Sequence, residues 1–225
     1  MSLLAMNYFE VLVMGGGSIG YLQWLICVAT LAIIIEYFIT IRRANVIPDP
    51  VRLQIQEMFD SKQYREVIEL TANEPSFLSY VLHAALSEAA HGYPAMERAM
   101  EEAAEERTTK LLRRVEWLNL IGNIQPMLGL LGTVWGMILA FFEIVEIGGM
   151  PEPGRLAGAI GIALVTTLLG LSCAIPALGV YAYMRTRIDA LSSEGVVIVQ
   201  DLLANFKPGK KASPSAAAAA APASA

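Results

Sequence analysis

Thr133 and Thr167 sit deep inside two long stretches, Trp117–Phe142 and Leu156–Met184, and neither stretch contains Asp, Glu, Lys, Arg or His. A hydroxyl can orient water or hydrogen-bond a carboxylate, but it does not ionise at physiological pH and so cannot carry a proton. The chemistry open to such a surface is therefore that of a polar, uncharged lining beside an ion path, with the titratable carrier coming from elsewhere. As helices the two stretches would measure about 39 and 43 Å, longer than a hydrocarbon core of ~30 Å. Counted inward from Glu146 and Ala157, Thr133 falls about 20 Å deep and Thr167 about 15 Å. The two, with Thr166 beside Thr167, are expected at one level near the bilayer centre. Two structural roles compete with this one: a hydroxyl bonded back to a carbonyl of its own helix, or one that glues helices together.

Small residues surround that level. Gly129, Gly132 and Gly136 punctuate one stretch, and Gly158, Gly161, Gly170, Ala174 and Ala177 the other. Such positions let helix backbones approach closely in lipid. Pro126 and Pro176 are expected to kink the inner halves, since each removes a backbone hydrogen bond. Three helices cannot enclose all this surface, so much of it should face other subunits or a foreign helix. The acidic groups lie towards the ends. Glu143 is about 15 Å outward of Thr133, and Glu36 is placed to snorkel towards Arg42 and Arg43. Asn119, Asn123 and Gln125 line the inner end, either wetting a cytoplasmic exit or acting as glue. His83 and His91 read as isolated surface or packing residues without metal-ligand spacing, and no nucleophile elbow or phosphate loop marks an enzyme.

These residues must be positioned by an all-α membrane protein with three transmembrane helices, two of them extended into a cytoplasmic helical stalk. The chain is 55% hydrophobic with a net charge of −5 and a mean hydropathy of +0.51, too apolar for a soluble domain and without the basic block of a nucleic-acid binder. Ile19–Ile41 reads as a further span, a retained anchor rather than a cleaved leader. Cys27 and Cys173 both fall inside spans, which argues against a structural disulfide. All 16 Lys and Arg except Arg155 lie in 42–116 or 185–225, which by the positive-inside rule puts the N-terminus outside and the C-terminus inside. The expected organisation begins with an outer interfacial helix (1–18), a first span (19–41) and a cytoplasmic helical domain (42–116). A second span (117–145), a periplasmic loop (146–156) and a third span (157–184) follow. A cytoplasmic helix (185–206) and a disordered tail (207–225) complete it.

Pro126-Met-Leu-Gly-Leu-Leu-Gly-Thr-Val-Trp-Gly136, with Ala163-Leu-Val-Thr-Thr-Leu-Leu-Gly170 and Ala174-Ile-Pro-Ala177, resembles the ExbB/TolQ/MotA proton-channel family, and most closely its ExbB/TolQ branch. Glu36-Tyr-Phe followed by Arg42-Arg43 resembles the inner end of that family's first span. The resemblance covers most of 19–190. It implies a homo-oligomer, a pentamer, in the bacterial inner membrane around a pair of helices from an ExbD/TolR-like single-span partner. That partner brings a membrane aspartate opposite Thr133 and Thr167. Protons would be the coupling ion, no other cofactor is implied, and a TonB-like transducer is a further partner. The expected function is a ring-forming subunit of a motor that couples the proton motive force to work on the envelope or to transport. A non-conducting scaffold, or a stator for gliding, motility or secretion, is the alternative. The chain departs from the Ton and Tol members at Ile162, where they carry a glutamate five residues before the third-span threonine, so a route through that carboxylate has no counterpart here.

Overall fold

A computed structural model describes residues 17–147 and 153–206. The expected interfacial helix before residue 17, part of the loop 146–156 and the tail from Lys207 lie outside the described residues. Among those described there is no strand. The helices run in the order α1 (Gly17–Thr40), α2 (Arg43–Val46), α3 (Asp49–Asp60), α4 (Tyr64–Asn73), α5 (Phe77–Ser87), α6 (Tyr93–Ile147) and α7 (Pro153–Leu203), and α1, α6 and α7 are long and apolar enough to cross a membrane.

α6 has 55 residues and α7 has 51, so at about 83 and 77 Å each is more than twice as long as a hydrocarbon core is thick. The stretch after Pro94 is rich in Ala, Glu, Met and Arg, good helix formers without a breaker. Pro94 itself sits in the first turn, where no backbone donor is lost. Gly92, at φ 91°, supplies the left-handed residue that separates α6 from a 3₁₀ turn, Ala89–His91. Both long helices continue through their internal prolines, Pro126 and Pro176.

Contacts divide the chain into two compact units, Met1–Arg42 with Thr109–Asp189, and Arg43–Thr108 with Ala190–Ala225. In the second unit the amphipathic helices α3 to α5 bury Ile55, Phe59, Val67, Leu78 and Leu82. The fifth helix opens at Phe77, just past Pro75, because the Ser76 hydroxyl accepts from the Ser79 N–H at 3.2 Å and caps the first turn. Gly195 makes room for Phe77, whose ring atoms would stand 2.7 Å from a Cβ at that position. Arg43 binds Asp49 and Glu194, each at 2.8 Å. The hydrogen bonds that Arg43 donates to Glu194, and then to Asp49, raise its pKa above the ordinary value, so the guanidinium stays charged at any working pH. His83 faces the Thr71 hydroxyl at 3.3 Å, and His91 lies 2.8 Å from Glu88.

In the first unit α1 and α6 are antiparallel. The Tyr37 hydroxyl donates to the Arg114 carbonyl near one end of α1, and Gln125 reaches the Gln23 carbonyl near the other. The expectation about the cysteines is overturned here, since Cys27 of α1 and Cys173 of α7 are disulfide-bonded with their Cα atoms 5.7 Å apart. Lying inside spans does not keep two thiols separate when the spans pack side by side in register, and a sequence separation of 146 conceals that register.

Candidate functional site

The site is built on the seam between α6 and α7. Glycines of α6 recur at Gly122, Gly129 and Gly136, with Gly132 between, and so occupy one face of the helix. A Cβ at Gly122 would stand 2.7 Å from the Leu178 side chain, one at Gly129 3.0 Å from the Thr167 Cα, and one at Gly136 3.0 Å from the Ala163 Cβ. At Gly132 it would come within 2.6 Å of the Thr166 Cβ. Each glycine is therefore required by close approach of the neighbouring backbone or side chain, the small-residue packing expected of helices in lipid. The partners descend from Leu178 to Ala163 as the glycines ascend, which fixes an antiparallel register. Gly158 and Gly161 differ: a Cβ on either meets nothing within 4 Å of the described residues.

This register brings the three threonines to one level. Gly129 abuts Thr167 and Gly132 abuts Thr166, and Thr133 follows Gly132 directly on α6. The Thr167 hydroxyl donates across the seam to the Gly129 carbonyl at 3.2 Å. Thr166 is only 1% exposed, and its hydroxyl bonds its own helix at the Ala163 carbonyl, 2.7 Å away. Thr133 donates to the Leu130 carbonyl at 2.7 Å. Thr133 and Thr167 are half-buried, so each hydroxyl oxygen can accept a further bond from outside the chain, whereas Thr166 is closed off beneath Gly132. Ile162, 44% exposed, stands on the open side of α7.

The other residues singled out from sequence are distributed away from this level. Asn123 donates to both the carbonyl and the side chain of Asn119, at 2.7 and 2.9 Å. Asn119 in turn donates to Glu116 at 2.7 Å, Tyr181 donates to the other Glu116 oxygen at 3.1 Å, and Arg185 bonds the Tyr181 hydroxyl at 3.3 Å. A polar ladder thus climbs α6 from Glu116 to Asn123, beside a groove of about 430 Å³ lined by Arg113, Glu116, Trp117, Asn119, Leu120 and Asn123. Among the described residues of its unit Glu36 makes no ion pair with Arg42. Arg43 is committed to Asp49 and Glu194, and Arg42 donates to the Phe38 carbonyl at 3.1 Å. Glu36 instead borders a recess of about 500 Å³ with Tyr37, Arg113, Arg114 and Trp117. Glu143 lies on α6, its side chain outside those described. Pro126 and Pro176 lie within α6 and α7, and Gly170 packs against Gln125 and Gln23 rather than on the threonines.

Sequence reading passed over Glu116, Tyr181, Gln23 and Thr30. The signal for Gln23 was present, a glutamine inside an otherwise apolar span. Thr30, 3% exposed, gave a weaker one and bonds the Ile26 carbonyl of its own helix at 2.7 Å. Tyr181 and Glu116 become legible only when the antiparallel register is known.

Fold and site together define an all-α membrane protein whose two longest helices meet along a glycine seam bearing hydroxyls and no titratable group. Residues 72–195, more than half of the chain, match the model of the MotA/TolQ/ExbB proton channel family, and the chain belongs to that family. Its relatives carry ExbB and TolQ names. The biopolymer transport protein ExbB of Xanthomonas campestris pv. campestris (strain B100) is 31% identical over 116 residues, 52% of this chain and 46% of that protein. The Tol-Pal system protein TolQ of Haemophilus influenzae is 34% identical over 99 residues, 43% of this chain and 42% of that protein. A putative biopolymer transport protein ExbB homolog of Methanothermobacter thermautotrophicus is 36% identical over 94 residues, 42% of this chain and 33% of that protein. The matched stretch spans less than half the length of each of these relatives.

Proposed function

We propose that the chain is a ring-forming subunit of a proton-driven motor in the bacterial inner membrane, coupling the proton motive force to work on the envelope or to transport. The observation that carries this reading is the pair Thr133 and Thr167. They share one level of a glycine seam, each with a half-open hydroxyl, in two stretches, Trp117–Phe142 and Leu156–Met184, that hold no Asp, Glu, Lys, Arg or His. A proton crossing that level needs a carboxylate from another chain. The partner we assign is an ExbD/TolR-like protein with one span and one membrane aspartate, held inside a pentamer of this chain. When that aspartate is charged, the Thr133 and Thr167 hydroxyls would turn from the Leu130 and Gly129 carbonyls to donate to it, and when it is protonated they would return to those carbonyls, so that proton passage turns the partner helices against the ring. The N-terminus would be periplasmic and the C-terminus cytoplasmic, and a TonB-like transducer would receive the motion.

The test is the double variant Thr133→Val with Thr167→Val in cells that carry the partner. Valine keeps the branched shape and removes only the hydroxyl, so the ring should assemble and co-purify with the partner as before. A hydrogen bond to a charged group contributes about 1.5–3 kcal/mol, so proton-driven output should fall about tenfold or more. Unchanged output from an assembled double variant would assign both threonines to packing and remove the basis for the mechanism.

A further inference from the structure

Gln23 of α1 and Gln125 of α6 are fully buried, large polar side chains within membrane-spanning helices. Gln125 Nε2 donates to the Gln23 carbonyl at 3.4 Å. Beyond that single long bond, Nε2 and Oε1 of Gln23 and Oε1 of Gln125 have no partner among the described residues. Gly170 of α7 closes the junction, where a Cβ would stand 2.5 Å from the Gln125 carbonyl oxygen and 3.1 Å from Gln23 Nε2. Three helices thus converge on two amides, and the third contributes the lack of a side chain. In hydrocarbon an unbonded amide has no solvent to fall back on, so buried polar atoms of this kind require a guest that can bond them.

We propose that this junction is an internal water site, in which ordered water bonds the side-chain amides of Gln23 and Gln125 where α1, α6 and α7 meet. The free groups combine an N–H donor with carbonyl oxygens. That mixture suits water, which donates and accepts and commonly makes about three bonds to buried polar groups, and does not suit a bare cation, which takes oxygen ligands only. Turning either amide end for end leaves the conclusion intact, because a primary amide offers both functions in either orientation. Gln23 lies about 9 Å along α1 from Gly17, so the site is wet where the surrounding span is dry. It also has a structural neighbour. Cys27 is one turn beyond Gln23 on α1, and Cys173 one turn beyond Gly170 on α7, so the water site and the disulfide fasten α1 at adjacent turns.

The test is water-to-protein polarisation transfer by magic-angle-spinning NMR, on the full chain in lipid bilayers with glutamine side-chain nitrogens labelled. Signals would be assigned with Gln23→Leu and Gln125→Leu, and the exposed Gln54 and Gln56 serve as positive references. We expect the Gln23 and Gln125 amides to receive water polarisation, and the Gly170→Ala variant, whose methyl would press on the Gln125 carbonyl oxygen and Gln23 Nε2, to lose most of it. Transfer to Gln54 and Gln56 but not to the two buried amides of the wild-type chain would overturn the proposal, and this holds even if Gly170→Ala does not fold. Full transfer retained in a folded Gly170→Ala variant would overturn the location. Signals that shift when sodium is exchanged for potassium would replace water with a cation and also overturn it.

Discussion

The two helix seams of the membrane unit are held by different means. α6 meets α7 along a run of glycines, so close that a single added methyl would meet Thr166, Thr167, Ala163 or Leu178. α1 is fastened by discrete groups: the Gln23–Gln125 contact, the Cys27–Cys173 bond and the Tyr37 hydroxyl on the Arg114 carbonyl. The first kind of seam sets the relative height of the two helices at every turn, as placing hydroxyls at one depth requires. The second kind holds a helix in place without prescribing such precision along its length. Hence the helices that present Thr133 and Thr167 are those that tolerate least change, and α1 acts as a buttress whose fastenings can be removed one at a time.

Substitutions should separate the two seams. The largest effect is expected for Gly132→Leu, which drives a side chain into Thr166. Overpacking costs about 1–3 kcal/mol even where neighbours can shift, and here the neighbour is a buried side chain on a close-packed helix, so folded protein should be lost from detergent extracts. Gly158→Ala and Gly161→Ala, which meet open space, should leave the yield of a single chain unchanged. Equal losses at Gly132 and Gly161 would refute the seam. Next is the paired replacement of Cys27 and Cys173 by Ala. It should lower the thermal midpoint without abolishing the fold, since the other fastenings of α1 remain. In the wild-type chain a maleimide reagent should label neither cysteine under denaturing conditions until a reductant is added; immediate labelling would show that the bond is not made. A smaller effect is expected for Thr166→Val, whose hydroxyl is turned to its own helix and shut beneath Gly132. Motor output should fall less than with Thr167→Val, and the reverse order would exchange the roles of the two residues. The smallest effect should follow Arg43→Gln. Its ion pairs with Asp49 and Glu194 are solvent-exposed and screened by salt. Its raised pKa keeps it charged, so stability should not change between pH 6 and pH 9 through this residue, which a pair of melting curves would check.

Much of this was readable from the sequence because lipid restricts the choices so severely. Long uncharged stretches can only be spans, and glycines at helical spacing beside Thr133 and Thr167 mark a seam before any coordinates exist. The common level of the threonines followed from counting residues along antiparallel helices. What could not be read was lateral register between α1 and the other two spans. Cys27 and Cys173 looked unconnected because nothing local relates residues so far apart, and Gln23 looked incidental until Gln125 and Gly170 were beside it. Partner choice among charges was equally hidden. Arg42 and Arg43 follow Glu36 closely in sequence, yet Arg43 bonds Asp49 and Glu194, because two carboxylates satisfy more of its donors than one would.

The central claim is that this chain supplies the polar level and another chain supplies the proton carrier. Proton flux into liposomes, followed with a pH-sensitive dye, tests it most directly. The purified chain alone should hold a proton gradient as well as empty liposomes do, because Trp117–Phe142 and Leu156–Met184 contain no Asp, Glu, Lys, Arg or His. Co-reconstitution with an ExbD/TolR-like partner bearing its membrane aspartate should open a flux that Thr133→Val with Thr167→Val suppresses. Rapid proton flux through the partner-free chain would contradict the account.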